Sequence, residues 1–168
     1  MDQIHIKKEL DRWMAEVVET PNPALGNWAP CPYARQARVN NKIEIVFCKV
    51  SDLHNTLHDS LLLLDNKEVV VICFDHKDIG PTEIQEFRQS VNNTLMPNNY
   101  VVLEGHPDLP EYVSGIRLNF DACATLIVQK LDALTAAADK LQVKGYYDHW
   151  DSTALDNIVN WRQLTNKS

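Results

Sequence analysis

The chain has 168 residues, of which 45% are hydrophobic and 23% are charged, values typical of a globular protein that can bury a core. Its net charge of −7 and its lack of a large lysine or arginine cluster argue against a nucleic-acid-binding protein. No apolar run approaches the roughly 18 residues of a membrane-spanning helix, and no signal peptide is evident, so we expect no membrane partner.

The sequence contains four cysteines and six histidines. The cysteines lack the Cys-x-x-Cys spacing of zinc and redox sites, and two of them lie within apolar segments. This pattern is typical of buried free thiols in a reducing compartment, so we predict a cytoplasmic protein. Neither a glycine-rich phosphate loop nor a zinc-protease motif occurs, and the sequence therefore predicts no cofactor.

The chain begins with a predicted helix and then changes character. Apolar residues recur every three or four positions across residues 3–19, which predicts an amphipathic helix that ends at Thr20-Pro21. Residues 21–38 hold four of the eight prolines. Each proline removes a main-chain donor and disfavours a helical conformation at the preceding residue. We therefore predict an irregular loop that is organised by its prolines.

One cysteine in this loop has a neighbourhood suited to chemistry. Proline is favoured in the first turn of a helix, so Pro32 predicts a short helix that continues to Arg38. Cys31 would then lie at the N-cap, where free N–H groups and the nearby Arg35 favour the thiolate. In the alternative interpretation, Cys31 and Trp28 only fill an apolar seam beneath a rigid loop. The sequence leaves both interpretations open.

Three segments have the β-branched and apolar composition of buried strands. They are residues 42–49, 68–74 and 100–104. The second segment is almost entirely apolar, which predicts a central strand that is covered on both faces and has a neighbour on each side. We expect Val69, Val71, Cys73 and Ile45 to be almost fully buried.

Helices are predicted between and after the strands from their apolar stripes and their capping residues. They start at Ser51, at Pro81, at Asn119 or Asp121, and at Ser152. The third of these is predicted to be the longest, at about six turns. Its apolar face would carry Cys123, Ile127, Leu131, Leu134, Ala138 and Leu141.

The order of these elements indicates a single α/β domain that spans residues 1–168. Both connections between strands are long enough for right-handed parallel crossovers. We therefore predict a small three-stranded, mostly parallel sheet flanked by helices. A ferredoxin-like α+β fold is the alternative, because residues 105–120 leave room for a fourth short strand.

Polar residues follow the second and third predicted strands. Asp75 and His76 come after one strand, and His106 and Asp108 come after the other. Ligands of open α/β sheets bind beyond the carboxyl ends of the strands, so we predict that these residues form a site for ligand binding or acid–base chemistry. Trp28 is a further candidate for ligand contact. The alternative is that these are ordinary loop residues.

Two short motifs give the chain a family resemblance. They are Cys31-Pro-Tyr-Ala-Arg35 and Glu104-Gly-His-Pro107. The chain resembles an uncharacterised bacterial domain family in which a Cys-Pro-Phe-Ala-Arg/Lys motif follows an N-terminal helix and a later strand runs into a His-Pro loop. The resemblance implies a similar fold and singles out Cys31, Arg35 and His106, but it implies no established activity. The asparagine-rich turns also resemble those of marine phage or metagenomic proteins.

One hypothesis for the function is a small thiol-dependent enzyme. Cys31 would be its nucleophile or redox thiol, His106 its base and Arg35 its anion-binding group. If the loop folds over the carboxyl ends of the strands, the thiol would lie close to the imidazole and its pKa would be lowered. The loop could equally pack at the opposite end of the sheet.

Two other functions stay open. A non-enzymatic module would bind a small molecule or a protein through the loop at 21–30 and the aromatic residues Tyr146, Tyr147 and Trp150. A metal-binding protein would use His76 and His106 with an acidic residue or Cys31 as a third ligand.

Overall fold

The computed structural model describes residues 1–162, and at its centre is a four-stranded mixed sheet. Its strands are β1 (Ile43–Phe47), β2 (Val69–Phe74), β3 (Tyr100–Gly105) and β6 (Ala124–Lys130), and a separate hairpin consists of β4 (Tyr112–Val113) and β5 (Ile116–Arg117). The helices are α1 (Gln3–Trp13), α2 (Ala34–Val39), α3 (Leu53–Leu63), α4 (Pro81–Leu95), α5 (Leu131–Val143) and α6 (Ser152–Ala154). Two π-helical turns, Met14–Val18 and Leu155–Asn160, continue α1 and α6.

The strands lie in the order β1-β2-β6-β3. β1 pairs with β2 in parallel, and β6 pairs antiparallel with both β2 and β3. β3 therefore runs in the same direction as β1 and β2, and β6 lies between two strands of that direction. The predicted α/β class is confirmed, and so are the three predicted strands to within two residues at either end.

The prediction of a three-stranded, mostly parallel sheet is wrong, because the segment interpreted as one long helix contains β6 followed by α5, and β6 is antiparallel to both of its neighbours. Cys123, Ile127 and Leu131 are four residues apart, which imitates a helical stripe. Leu126 and Val128, which lie off this stripe, are fully buried, and so is Cys123 on it, while Ile127 is half-buried. Burial on both faces is typical of a central strand, and the β-branched composition of the segment agrees with it.

The ferredoxin-like alternative is also wrong, because β1 and β2 are parallel neighbours. Residues 105–120 do contain extended segments, but β4 and β5 form their own hairpin outside the main sheet. No helix within residues 1–162 is long and apolar enough to cross a membrane.

Helices cover both faces of the sheet. One face packs against α3 and α4, and its core includes Ile72, Phe74 and Leu126. The other face packs against α1 through Val71 and Cys73 of β2 and through Phe120. The N-terminal helix and the helix from Pro81 are confirmed, since both lie close to their predicted bounds.

The proline-rich loop packs in a smaller apolar cluster of its own. Leu25 of the loop, Val113 of the hairpin and Ala154 of α6 are buried there together. Asp151, rather than the predicted Ser152, caps α6 by accepting the Ala154 N–H. The loop is therefore held by the hairpin and by the C-terminal part of the chain.

β2 is central, as predicted, with β1 on one side and β6 on the other. Val71 and Cys73 are buried, but Val69 and Ile45 are only half-buried. Ile45 belongs to β1, which has a neighbouring strand on one side only. The edge position of β1 therefore explains why Ile45 is less buried than the sequence predicts.

The two edge strands differ in whether the main-chain groups on their free sides have hydrogen-bond partners. On β3, the side chain of the buried Asn92 accepts the Val102 N–H and donates to the Val102 carbonyl, each at 2.9 Å. Glu104 lies 3.1 Å from the guanidinium of Arg88, which also stacks on Trp161. An amide side chain thus takes the place of a neighbouring strand at the centre of β3.

This cap gives a first prediction. Asn92→Ala leaves the N–H and the carbonyl of Val102 without their partners, so we expect the free energy of unfolding to fall by about 2 kcal/mol. Asn93→Ala is the matched control, because Asn93 is exposed on the same helix and should change stability by less than about 0.5 kcal/mol. Urea titration followed by circular dichroism measures both values, and equal stability of the two variants would contradict the capping role.

Candidate functional site

The two predicted histidines do meet at the carboxyl edge of the sheet. The ring centroids of His76 and His106 are 6.0 Å apart in an edge-to-face arrangement. His76 opens the turn after β2, and His106 follows β3 directly. Their approach confirms the expectation that the ends of the second and third predicted strands lie together.

His106 is a buried residue with both ring nitrogens engaged. Its Nε2 lies 3.0 Å from the carbonyl of Ile79 and 3.2 Å from that of His76, and its Nδ1 accepts the Asp108 N–H at 3.0 Å. Carbonyls only accept and an N–H only donates, so these partners require a neutral ring that carries its proton on Nε2. The ring therefore joins the turn after β2 to the turn after β3.

The acidic residues beside the histidines have structural contacts of their own. Asp75 accepts the Lys77 N–H, and this bond is the main reason why the pKa of Asp75 is lowered. Asp108 is exposed and contributes its main-chain N–H to His106. His76 keeps one buried ring nitrogen, Nδ1, without a hydrogen-bond partner among the described residues. Within residues 1–162, no three His, Cys, Asp or Glu side chains are grouped to hold a metal ion.

Sequence reasoning missed this role of Asn119, which supports the edge from the far end of the connection between β3 and β6. Its side-chain amide donates to the carbonyls of His106 and Leu109, and its carbonyl oxygen accepts the Glu111 N–H. The sequence predicts Asn119 or Asp121 as the cap of a helix, a role that also uses the hydrogen-bonding ability of the side chain. Only the position of β6 reveals that no helix starts there.

Cys31 lies in a turn that precedes α2 and is not the N-cap. The helix begins at Ala34 with Tyr33 at its cap, two residues later than predicted. The main-chain N–H of Cys31 donates to the carbonyl of Val18 at 3.0 Å. This bond attaches the turn to the end of the helical segment that starts with α1.

The predicted activation of the Cys31 thiol is not supported. The residue is exposed, yet the atoms packed around its sulfur raise the pKa of the thiol through desolvation. Hydrogen bonds from the main chain of Tyr33 and Ala34 lower the pKa, but by less, and the negative charge of Glu19 raises it further. A thiol with a raised pKa is a poor nucleophile at neutral pH.

Trp28 and the aromatic residues near the C-terminus hold the loop in place. The Trp28 ring contacts that of Tyr146 at 5.6 Å between centroids, and Tyr146 is fully buried. The Tyr146 hydroxyl donates to the carbonyls of Ala29 and Pro30. These contacts favour the interpretation of Trp28 as part of an apolar seam, and they leave little of Tyr146 for a binding surface.

The structure does not bring Cys31 and His106 together. Cys31 donates its main-chain N–H to Val18, and its electrostatic neighbours are Glu19, Tyr146 and Tyr147. His106 binds the carbonyl of Ile79, a residue of the core beneath α3 and α4. Arg35 lines an open hollow of about 370 Å³ with Pro32, Gln36, Val39 and Asn40, and its charge lowers the pKa of Glu19.

β1 forms the free edge of the sheet on the side opposite β3. The Val69 N–H donates to the Lys42 carbonyl, and the Cys48 N–H donates to the Cys73 carbonyl, each at 3.2 Å. Main-chain groups point to alternate sides along a strand. The even-numbered residues of β1 therefore face β2.

The odd-numbered residues Ile43, Ile45 and Phe47 direct their N–H and carbonyl groups away from the sheet. No hydrogen bond reaches these groups from the part of the chain that the structure describes. All five residues of β1 are half-buried, and the strand contains no proline. The edge is thus extended and, among the described residues, has no hydrogen-bonded neighbour on its outer side. Sequence reasoning missed it because an edge position depends on strand order.

No protein-family model, curated protein or solved structure matches this chain.

The bonding of His106 gives a second prediction. We expect nitrogen NMR shifts to show the neutral tautomer protonated at Nε2, and a ring protonated at Nδ1 would contradict the arrangement. His106→Ala removes these bonds and leaves a cavity, so the free energy of unfolding should fall by about 3 kcal/mol. His58→Ala, at an exposed position, is the control and should change it by less than about 0.5 kcal/mol.

The Cys31 thiol gives a third prediction. Because its pKa is raised above the ordinary value of 9.0, its alkylation by iodoacetamide should still be accelerating as the pH passes 9. Glu19→Gln removes a negative charge that raises this pKa, so the curve should shift to lower pH. The measurement is peptide mass spectrometry, with Cys31→Ser as the control. A midpoint near neutral pH would show an activated thiol.

The other three cysteines provide an internal comparison for that experiment. All four are free, and Cys73 and Cys123 are buried while Cys48 is half-buried. A hydrogen bond with the Cys123 side chain, together with burial, raises the pKa of Cys73. We expect these three thiols to react more slowly than Cys31 in the native protein.

Proposed function

We propose that this protein is a non-enzymatic binding module that takes up an extended segment of another polypeptide along β1. The observation that carries the proposal is the row of outward N–H and carbonyl groups at Ile43, Ile45 and Phe47. Exposed sheet edges bind extended peptides by strand addition, in which main-chain hydrogen bonds supply affinity and side-chain contacts supply selectivity. At the centre of β3, the other edge strand, the Asn92 amide already binds the main-chain groups that an added strand would bind.

The residues considered for catalysis support a binding role better than a reaction. The Nδ1 lone pair of His106 accepts a main-chain N–H, so this ring has no free base to offer a thiol. Burial raises the pKa of the Cys31 thiol. A thiol-dependent enzyme needs the opposite of both properties.

A small-molecule ligand is a weaker alternative than a polypeptide. Small-molecule sites usually enclose most of the ligand surface. The hollow of about 520 Å³ beside α5 is open to solvent and lined by Met96, Leu131, Asp132 and Asp139 among others. An extended segment on β1 needs no enclosed cavity, because it completes a sheet. We place this binding role in the cytoplasm, since all four cysteines are free thiols.

The added strand would lie between the helices that cover the two faces of the sheet. Ile43, Ile45 and Phe47 pack with the core beneath α1, and Val46 packs with the core beneath α3. Side chains of the bound segment would alternate between these two faces. The segment would therefore contact apolar surface on both faces.

An uncharged probe peptide of sequence Ser-Thr-Val-Thr-Val-Thr-Ser tests this function. We expect its addition to shift the amide NMR signals of Ile43, Ile45 and Phe47 and to slow their hydrogen exchange. Ile45→Pro removes an outward N–H without breaking a bond to β2, so the variant should fold and lose most of the binding. Ile45→Ala keeps that N–H and is the matched control.

A second probe keeps the test decisive if the proline variant unfolds. The same peptide with N-methyl groups at alternate residues has the same side chains but lacks donors on one side. We expect one N-methylation pattern to abolish binding to the native protein and the other to preserve it. Shifts outside β1, or equal binding of both N-methylated peptides, would contradict strand addition.

A further inference from the structure

The charges around β1 differ in sign from those of the whole chain. The chain has a net charge of −7. Lys42 and Lys49 flank the strand, and Glu44 is the only charged residue within it. Lys7 and Lys67 reach β1 from neighbouring elements, so four lysines lie beside this edge. The acidic residues there are Glu44 within the strand and Glu68 and Asp52 at its two ends, whose main-chain N–H groups donate to the Lys42 and Lys49 carbonyls.

Specific contacts place these lysines beside the strand. The Lys7 ammonium lies 5.7 Å from the centre of the Phe47 ring. The Lys67 ammonium lies 3.1 Å from Glu44 and donates to the main-chain carbonyl of Asn41 at 2.9 Å. Glu44 is therefore neutralised by Lys67, while Lys7 supplies an additional positive charge beside the carboxyl half of the strand.

We infer that the segment taken up by β1 is acidic, with carboxylates flanking a central stretch of alternating apolar residues. This inference rests on the proposed strand addition and specifies its partner. Carboxylates at the two ends of the segment would lie near Lys42 and Lys49, the lysines that flank the strand. Complementary charges at the rim of an interface increase the association rate and exclude partners of the same sign.

The same charges argue against a second copy of this chain as the occupant. A two-fold antiparallel pairing of β1 with itself, centred on Ile45, places Lys42 opposite Cys48 of the other copy. Lys42 would then be next to the other copy's Lys49. By the two-fold symmetry, lysines would meet in this way at both ends of the pairing and would repel each other.

Three probe peptides that differ only at their ends test the inference. They are the uncharged peptide above, one with aspartate at both ends and one with lysine at both ends. In NMR titrations at low ionic strength, we expect the aspartate peptide to bind at least about tenfold more tightly than the lysine peptide. The preference should shrink as salt is added, because the contacts are at the surface.

Charge-reversal variants identify the residues responsible. Lys42→Glu with Lys49→Glu should invert the preference and favour the lysine peptide. Lys140→Glu with Lys144→Glu is the matched control, since it makes the same change in net charge on exposed residues at the end of α5. The control protein should keep the preference for the aspartate peptide.

The possible outcomes separate this inference from the proposed function. Equal binding of all three peptides at β1 would overturn the acidic partner and leave strand addition intact. Failure of all three to bind would overturn the proposed function. A dimer detected by analytical ultracentrifugation and abolished by Ile45→Pro would assign the edge to a second copy and overturn the acidic partner. Preference for the aspartate peptide that survives Lys42→Glu with Lys49→Glu would also overturn it.

Discussion

The insertion of β6 between β2 and β3 is the constraint on which the rest of the architecture depends. β6 supplies hydrogen bonds to both neighbours and places Leu126 and Val128 in the centre of the core. It also moves β3 to one edge of the sheet and leaves β1 at the other. Because β6 returns against the direction of its neighbours, the chain after β3 must cross the carboxyl end of the sheet before it can enter the centre. The hairpin of β4 and β5 lies within that crossing, and it provides the surface on which the proline-rich loop packs.

The same crossing explains why both ring nitrogens of His106 have hydrogen-bond partners. A chain that leaves an edge strand and re-enters the sheet needs a fixed turn, and buried main-chain groups in such a turn need partners. His106 binds two carbonyls of the turn after β2 and one N–H of its own turn, while Asn119 binds the carbonyls on the other side of the loop. In sequence, a histidine at the end of a strand in an α/β fold resembles a catalytic residue. Here its hydrogen bonds instead fix the turn after β3 to the turn after β2.

Local patterns in the sequence predict most of the elements, whereas relations between distant segments could not be predicted. The apolar run ending at Phe74 and the capping position of Pro81 are local signals, and the structure confirms both elements. The segment around Ile127 satisfied a helical and an extended pattern at once, and only pairing with β2 and β3 favours the strand. For the site, the meeting of His76 with His106 followed from the parallel direction of their strands. The position of Cys31 depends instead on how the loop packs with Tyr146, which no local pattern contains.

The contrast between the two edges shows that the unpaired side of β1 is not simply a consequence of being the last strand of the sheet. Folded proteins protect free edges with charges, prolines, bulges or covering side chains, since an exposed edge invites pairing with other chains. At β3 this chain uses Asn92 as a substitute neighbour and Arg88 with Trp161 as a cover. At β1, no side chain among the described residues takes the place of a neighbouring strand, and the lysines around the strand would oppose pairing between copies while leaving the main-chain groups open. Protection by charge alone is selective by sign, because it repels a basic strand and attracts an acidic one. An edge guarded in this way therefore discriminates among partners, whereas at β3 the Asn92 amide already occupies the main-chain groups of Val102.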